Sequence, residues 1–293
     1  MNIQHLSAFL AVCDTGSVMA AARQLHLTQP AVSKRLQLLE QQLGVVLFDR
    51  HQRQLHLTSA GHALKPQAET ILQAVANAER TLSNLEHQVA GTLAIAASHH
   101  MGLYYLPELL SRFIQAYPEV QLEPQFMASE WVYEAVQNRT YELGFGTLFN
   151  QPPKGLQQLT LGVDRLVYVA APQHPLAQRQ RLTLNELGAT RAVLPLAESA
   201  TSGLIEQQFR QRQLKLPSVL SVNYLETIRM MVSVGLGWSV LPASMVDERL
   251  QILPVDAPPL QRKLGVFFLR QRTLSNAARS LCEMAKQFQT EYQ

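Results

Sequence analysis

Two sets of polar side chains in this sequence have the types and spacing to do chemistry. The first lies in the opening sixty residues: Gln29, Pro30, Ser33 and Lys34, with Ser17, Thr28, Arg35, Arg50 and Arg53 around them. Gln, Ser and Lys on one exposed helical face can hydrogen-bond base edges and phosphates. Arginine suits a phosphate backbone or a narrow minor groove. The second set is dispersed: Ser98-His99-His100, Ser129, Thr147, and Ser199, Thr201 and Ser202. These lie at the ends of apolar, strand-like runs or at the starts of helical patterns, where hydroxyls and free backbone N–H groups can converge on a small polar ligand. Taken singly, each Ser or Thr is better read as a helix cap. His99 and His100 are adjacent, so their side chains diverge, and no partner motif accompanies them. A metal site is therefore not expected, whereas one ligand-contacting histidine is. No G-x-G-x-x-G, P-loop, G-x-S-x-G or H-E-x-x-H motif occurs, which leaves an enzyme without recognisable machinery and implies no cofactor.

The elements that must position the first set follow from periodicity. Leu6, Phe9, Leu10 and Cys13 share one helical face over residues 3–15. Gly16-Ser17 ends that helix, and Ser17 caps an alanine-rich one from Val18 to about Leu25. His26-Leu27 makes a short turn with Leu27 as its buried plug, and Thr28 caps a third helix with Pro30 in its first turn. Val32, Leu36, Leu39 and Leu43 form the buried stripe of that helix, leaving Pro30, Lys34, Gln37 and Gln41 opposite and Gln29 and Ser33 beside them. After Gly44, LFDRHQRQLHLT predicts a hairpin with Leu55 and Leu57 inward, Gln54 and His56 outward, and Arg50 and Arg53 around its tip. Arg23, Lys34, Arg35, Arg50 and Arg53 outnumber Asp14, Glu40 and Asp49 in this stretch, although a solvated face would carry the same charges.

The run LTQPAVSKRLQLLEQQLGVVLFDRHQRQLHLTSAG resembles the DNA-binding domain of LysR-type transcriptional regulators almost from end to end. The blocks Ala-Ala-x-x-Leu, Thr-Gln-Pro-Ala-Val-Ser, Leu-Glu-x-x-Leu-Gly, Leu-Phe-x-Arg and Leu-Thr-x-Ala-Gly occur in order at the expected gaps. The resemblance implies a winged helix-turn-helix, with the third helix in a major groove and the hairpin as the wing.

From Thr58 a long helix is expected. Leu64, Ala68, Ile71, Val75, Ala78, Leu82, Leu85 and Val89 alternate steps of four and three, the repeat of a coiled-coil seam, with Pro66 bending it locally. The other faces are largely polar, which favours dimerisation over packing on the helix's own domain. The resemblance implies the same, with dimers or tetramers, and two recognition helices reading two half-sites.

Beyond Gly91, short apolar runs alternate with amphipathic helices, an α/β pattern calling for a mostly parallel sheet. Strands are expected at 93–97, 120–126, 141–147, 166–171, 192–196, 218–223, 238–241 and 264–269; helices at 103–116, 130–138, 203–213, 225–234 and 275–289. The resemblance implies two Rossmann-like subdomains of periplasmic-binding-protein type, joined by crossovers near Gly162 and Gly265. It gives a DNA-binding domain over 1–58, a linker helix over 59–90 and a regulatory domain over 91–293, with subdomain I at 91–162 plus 267–293 and subdomain II at 163–266. It also implies effector contacts at the positions of Ser98, Ser129 and the Ser199–Ser202 loop.

The implied function is a regulator that binds promoter DNA and a small effector, with RNA polymerase a further candidate partner. Helix N-termini favour an anionic effector; an apolar one held by Tyr104, Trp131 and Phe149 is the competitor. A non-catalytic binding protein of the periplasmic type would explain residues 92–293 but has no use for 1–57. With 47% apolar and 16% charged residues the chain is globular, and its net charge of +3 is too small to argue for nucleic acid by itself. No run of about 18 apolar residues occurs, and the N-terminus lacks the pattern of a secretory signal. Those features, with only Cys13 and Cys282 present, predict reduced thiols and a cytoplasmic setting without a membrane partner.

Overall fold

A computed structural model describes the chain except for residues 52–53, 86–87, 217–218 and 292–293, with the backbone alone at residues 50, 51, 54, 83 and 289–291. It divides into two compact units, Met1–Glu86 and His87–Gln293.

In the first unit, α1 (Ile3–Thr15), α2 (Val18–Gln24) and α3 (Gln29–Leu43) precede the antiparallel hairpin of β1 (Phe48–His51) and β2 (Gln54–Leu57), and α4 (Ser59–Asn84) follows. The Ser17 side chain accepts from Ala20 N, as an N-cap should. Thr28 occupies the cap position of α3, but its hydroxyl makes no capping bond, contrary to the sequence expectation. Leu6, Phe9, Val12, Ala21, Val32, Leu36, Leu39 and Leu47 form the core. Burying each large apolar side chain contributes roughly 1.5–3 kcal/mol. Leu43, expected in the buried stripe, is 37% exposed because the helix ends at Gly44, which takes φ 69°. Glu40 Oε1 accepts from Leu47 N at 2.7 Å, tying the start of the hairpin to the recognition helix. Thr58 caps α4 by accepting from Gly61 N at 3.1 Å. A side chain at Gly61 would overlap the Leu47 carbonyl, so glycine lets α4 start against the wing.

The predicted seam on α4 splits. Ala68 is fully buried and Leu64 and Ile71 pack beside it, all three in the core of the first unit. Val89 packs on the core of the second unit. Leu64, Ala68 and Ile71 are engaged in the first unit's core because the amphipathic helix begins directly under the wing, and Val89 lies beyond the helix, which ends at Asn84. Leu82 and Leu85 are 66% and 65% exposed. Val75 is half-buried and Ala78 exposed. The helix runs through Pro66 without interruption.

The second unit opens with β3 (Gly91–Ser98), α5 (His99–Tyr104), α6 (Leu106–Ala116), β4 (Val120–Met127), α7 (Ser129–Gln137) and β5 (Leu143–Thr147). The long strand β6 (Leu156–Ala170) leads to α8 (Leu184–Gly188), β7 (Ala192–Pro195), α9 (Ala200–Gln211), β8 (Val219–Val222), α10 (Leu225–Ser233), β9 (Ser239–Pro242) and β10 (Gln251–Ile252). The chain returns on β11 (Leu260–Leu269) and ends in α11 (Asn276–Glu291). Strands β4, β3 and β5 pair in parallel; β11 runs antiparallel to both β5 and β6; β9 pairs β6 on the side away from β11, and β10 pairs the end of β6 on the side opposite β9. Strands β7 and β8 pair in parallel.

Two cores result. One gathers Leu93, Ile95, Leu109, Phe113, Phe145, Val266 and Leu281. The other gathers Leu166, Tyr168, Leu194, Phe209, Trp238 and Val240. Strands β6 and β11 contribute to both, so they are the two crossovers between lobes. Opposite Gly162 their register shifts between Leu264 and Gly265, which bends the ladder where the lobes meet. The expected helix at 103–116 is broken at Tyr105, since Pro107 starts a new first turn. The first ten residues of β6 were missed because LQQLTLGVDR alternates poorly; this stretch crosses between cores rather than covering one.

Candidate functional site

In the first unit, Thr28, Gln29, Pro30, Ser33 and Lys34 are exposed along one side of α3. Gln37 and Gln41 extend the same exposed polar face. Ser17 is half-buried and occupied as a cap. Arg35 is half-buried, with Nη2 donating to Gln4 Oε1 at 3.1 Å, which ties it to α1. The side chain of Arg50 and all of Arg53 lie outside the described residues.

In the second unit a cleft of about 40 Å³ lies between the lobes. It is lined by Ser98, His99 and His100 at the start of α5, Ser129 and Glu130 in α7, Ser199 and Thr201 at α9, Tyr224 and Glu226 at α10, and Arg262 of β11. Each helix starts at the C-terminal end of a strand, which brings the helix N-termini together. Ser98 Oγ accepts from Met101 N at 3.3 Å, and Ser199 Oγ accepts from Ser202 N at 3.1 Å. Both hydroxyls therefore act as caps through the oxygen and keep their protons to donate. His99 crosses to the other lobe, its ring edge-on to Tyr224 with centroids 4.4 Å apart.

Beneath the cleft is a buried ionic cluster. Asp164 and Arg262 face each other as direct partners in the β6–β11 ladder. Arg262 Nε and Nη2 reach Asp164 Oδ2 at 2.9 and 2.8 Å, and Nη1 donates to Thr201 Oγ1 at 2.9 Å. Tyr105 OH donates to Asp164 Oδ1 at 3.4 Å. His100 Nε2 lies 3.3 Å from Asp164 Oδ2, off the line of a good hydrogen bond. Burial alone would raise the Asp164 carboxyl; His100 and Arg262 outweigh it and hold it below its ordinary value. The Tyr105 hydroxyl is pushed up to about 12 by burial, reinforced by Asp164.

Thr147 and Ser202 do not join the cleft. Thr147 ends β5 opposite Leu264, and Ser202 Oγ donates to the Pro195 carbonyl at 2.8 Å beneath α9. The aromatic alternative also comes apart. Trp131 is 60% exposed, Phe149 packs on Tyr133, and Tyr104 lines a separate, largely apolar cavity of about 690 Å³ with Leu106, Val163 and Phe288.

Two family models match the chain: the bacterial regulatory helix-turn-helix protein, lysR family, over residues 3–62, and the LysR substrate binding domain over residues 86–289. The chain belongs to the LysR family. It is a LysR-type transcriptional regulator with an N-terminal helix-turn-helix and an effector-binding domain. Among relatives of this regulator, the HTH-type transcriptional regulator CfxR of Cupriavidus necator is 30% identical over 287 residues, covering 96% of this chain and 89% of that protein. The HTH-type transcriptional activator CmpR of Synechocystis sp. is 27% identical over 289 residues, covering 96% and 94%. Full-length CbnR, solved with its target DNA, shares the fold at a TM-score of 0.61 with 21% identity, covering 98% of this chain and all (100%) of that one. The effector-binding domain of QuiR, solved with shikimate, matches at a TM-score of 0.62 and 20% identity over 69% of this chain and 99% of that one.

In this LysR-type regulator the sequence reading missed Asp164, Arg262, Tyr224 and Glu226. Asp164 and Arg262 sit in GVDRL and LQRKL, runs with no cap or turn signal. The available clue was charge inside otherwise strand-like segments, Asp164-Arg165 and Arg262-Lys263, which a buried sheet tolerates only where it is paired.

Proposed function

We propose that this regulator binds promoter DNA as a dimer and that its interlobe cleft takes a small effector carrying an anionic group. Gln29 and Ser33 would read base edges in the major groove, while Lys34 and the uncommitted Thr28 hydroxyl would hold phosphates. The relative CbnR was solved on its target DNA, which supports this use of the helix. Leu82 and Leu85, the most exposed of the large apolar residues of the seam, would pair two chains together with Val75 and Ala78.

The observation carrying the anionic reading is the α9 end of the cleft. The first turn of α9 contains no acidic residue, Ser199 keeps a proton to donate, and Arg262 lies beside Thr201. Such a helix start with an adjacent guanidinium favours a carboxylate or similar group. The effector would enter between the lobes, whose facing helix starts line the cleft. Opening and reclosure on the effector would then shift the population of lobe arrangements, and with it promoter binding.

Fluorescence anisotropy on the DNA upstream of the gene, with and without a panel of small carboxylic acids, tests this reading. Binding whose affinity or salt dependence shifts with an acid, and no longer shifts in Ser98→Ala, is the expected result. A response only to uncharged aromatic compounds, unaffected by Ser98→Ala, would overturn the anionic assignment.

A further inference from the structure

Part of the cleft lining has the reverse character. Glu130 and Glu226 stand in the first turns of α7 and α10, and both line the cleft. The Glu226 Oε1 atom is fully buried and meets no hydrogen-bond donor among the described residues. His100 lines the same space, is only 5% exposed, and its Nδ1 is likewise unpartnered. With Nε2 turned towards the Asp164 carboxylate, Nδ1 is the ring nitrogen left facing no protein partner. A buried acceptor without a donor is unfavourable, and a charged one more so. An orphan carboxylate oxygen and an orphan ring nitrogen therefore line one small space, with a second carboxylate beside them. Among the described lining residues the cationic side chain is Arg262, whose charge is balanced by Asp164 and which also donates to Thr201.

We infer that the effector is zwitterionic: a small α-amino acid or close relative whose ammonium group supplies donors to Glu226, with Glu130 and His100 Nδ1 around it, while its carboxylate lies at α9. An ammonium carries three donors and one positive charge, which answers both the orphan carboxylate oxygen and the sign of the surplus charge. A hydroxy acid would satisfy the hydrogen bonding but leave the carboxylates uncompensated. The inference rests on the anionic reading for the carboxylate half alone.

Calorimetry and thermal shift on the full chain, using the common α-amino acids, each with its deaminated acid and its decarboxylated amine, separate the two halves. At least one amino acid should raise Tm and bind at least tenfold more tightly than its deaminated acid. Glu226→Gln should reduce that preference about tenfold, and Glu130→Gln should reduce it less, with circular dichroism showing that both variants are folded. Deaminated acids binding as tightly as amino acids, or a preference untouched by Glu226→Gln, would overturn the zwitterion while leaving the anionic reading intact. Amines binding as tightly as amino acids would overturn the anionic reading and leave the ammonium site standing. A panel in which no amino acid raises Tm would sink the inference.

Discussion

The recognition helix and the effector cleft solve the problem of presenting polar groups in opposite ways. On α3 the polar face is a local product: apolar residues at steps of four and three bury one side, and Gln29, Ser33 and Lys34 are exposed by default on the other. The cleft is a product of topology. Asp164 and Arg262 are 98 positions apart and meet because two long antiparallel crossovers place them in register. Side chains on the helix face water and can change at little cost to folding; those under the cleft are held in a nearly water-free cluster, where every partner matters.

That contrast places the largest expected effect at Arg262. Arg262→Met leaves the Asp164 carboxylate buried with only His100 and Tyr105 nearby, and removing one partner of a buried pair costs about 3–5 kcal/mol. Urea unfolding of the variant should show that loss, and Asp164→Leu combined with Arg262→Met should recover most of it. The pH dependence gives a second reading. The folded-state value of Asp164 is depressed, so its contribution is present above the ordinary carboxylate value and is lost as pH falls through the lower folded value. Asp164→Asn should therefore flatten the acid limb of the stability curve below about pH 4. An acid limb as steep as that of the parent chain would show that the cluster contributes nothing to folding.

The next largest effect should fall on assembly. Leu82→Lys with Leu85→Lys should give a monomer by sedimentation and loss of operator binding, with the melting of the first unit unchanged because both side chains are exposed. Ile71→Lys would not isolate dimerisation, since Ile71 packs on the helix-turn-helix core and its loss would damage folding as well. A dimeric double variant would mean that the chains pair elsewhere.

How much of the molecule was legible follows from the same contrast. Helices α1 to α3, the hairpin and most strands of the second unit carry their own periodicity, so their existence and order could be read directly. Ser98, Ser129, Ser199 and Thr201 could be found because each sits at a strand-to-helix junction, and all four line the cleft. Thr147 and Ser202 obey the same local rule, but one ends a strand beside β11 and the other is bonded to Pro195, and no local rule separates such residues from ligand contacts. The split of the linker seam was hidden for a related reason: a four-three repeat records that one face is buried, not what buries it.

On the helix itself the expected effects are smaller and distinguish two roles. Lys34→Ala should weaken binding to all duplexes alike and reduce the slope of log K against log salt by about one. Gln29→Ala should lower affinity for the operator by about 1–3 kcal/mol while barely changing the slope or the affinity for random DNA. Equal losses on operator and random DNA for Gln29→Ala would move Gln29 to the backbone.

The smallest effect should be at the thiols. Burial raises Cys13 to about 11, with Lys65 opposing it only in part, and raises Cys282 to about 12 inside the core around α11. The thiolate is the reactive form, and a free cysteine near 8.5 has a few per cent of it at neutral pH, whereas these two have about a hundredfold less or lower still. Iodoacetamide at pH 8 should therefore modify the folded chain far more slowly than the urea-unfolded chain, and Cys13, which is half-buried, should react before Cys282. Neither Cys13→Ser nor Cys282→Ala should change the DNA or effector affinities, because neither thiol lies on the exposed face of α3 or in the lining of the cleft. Rapid modification of Cys13 in the folded protein at neutral pH would show that α1 opens around it, in a unit whose contacts describe one packed core.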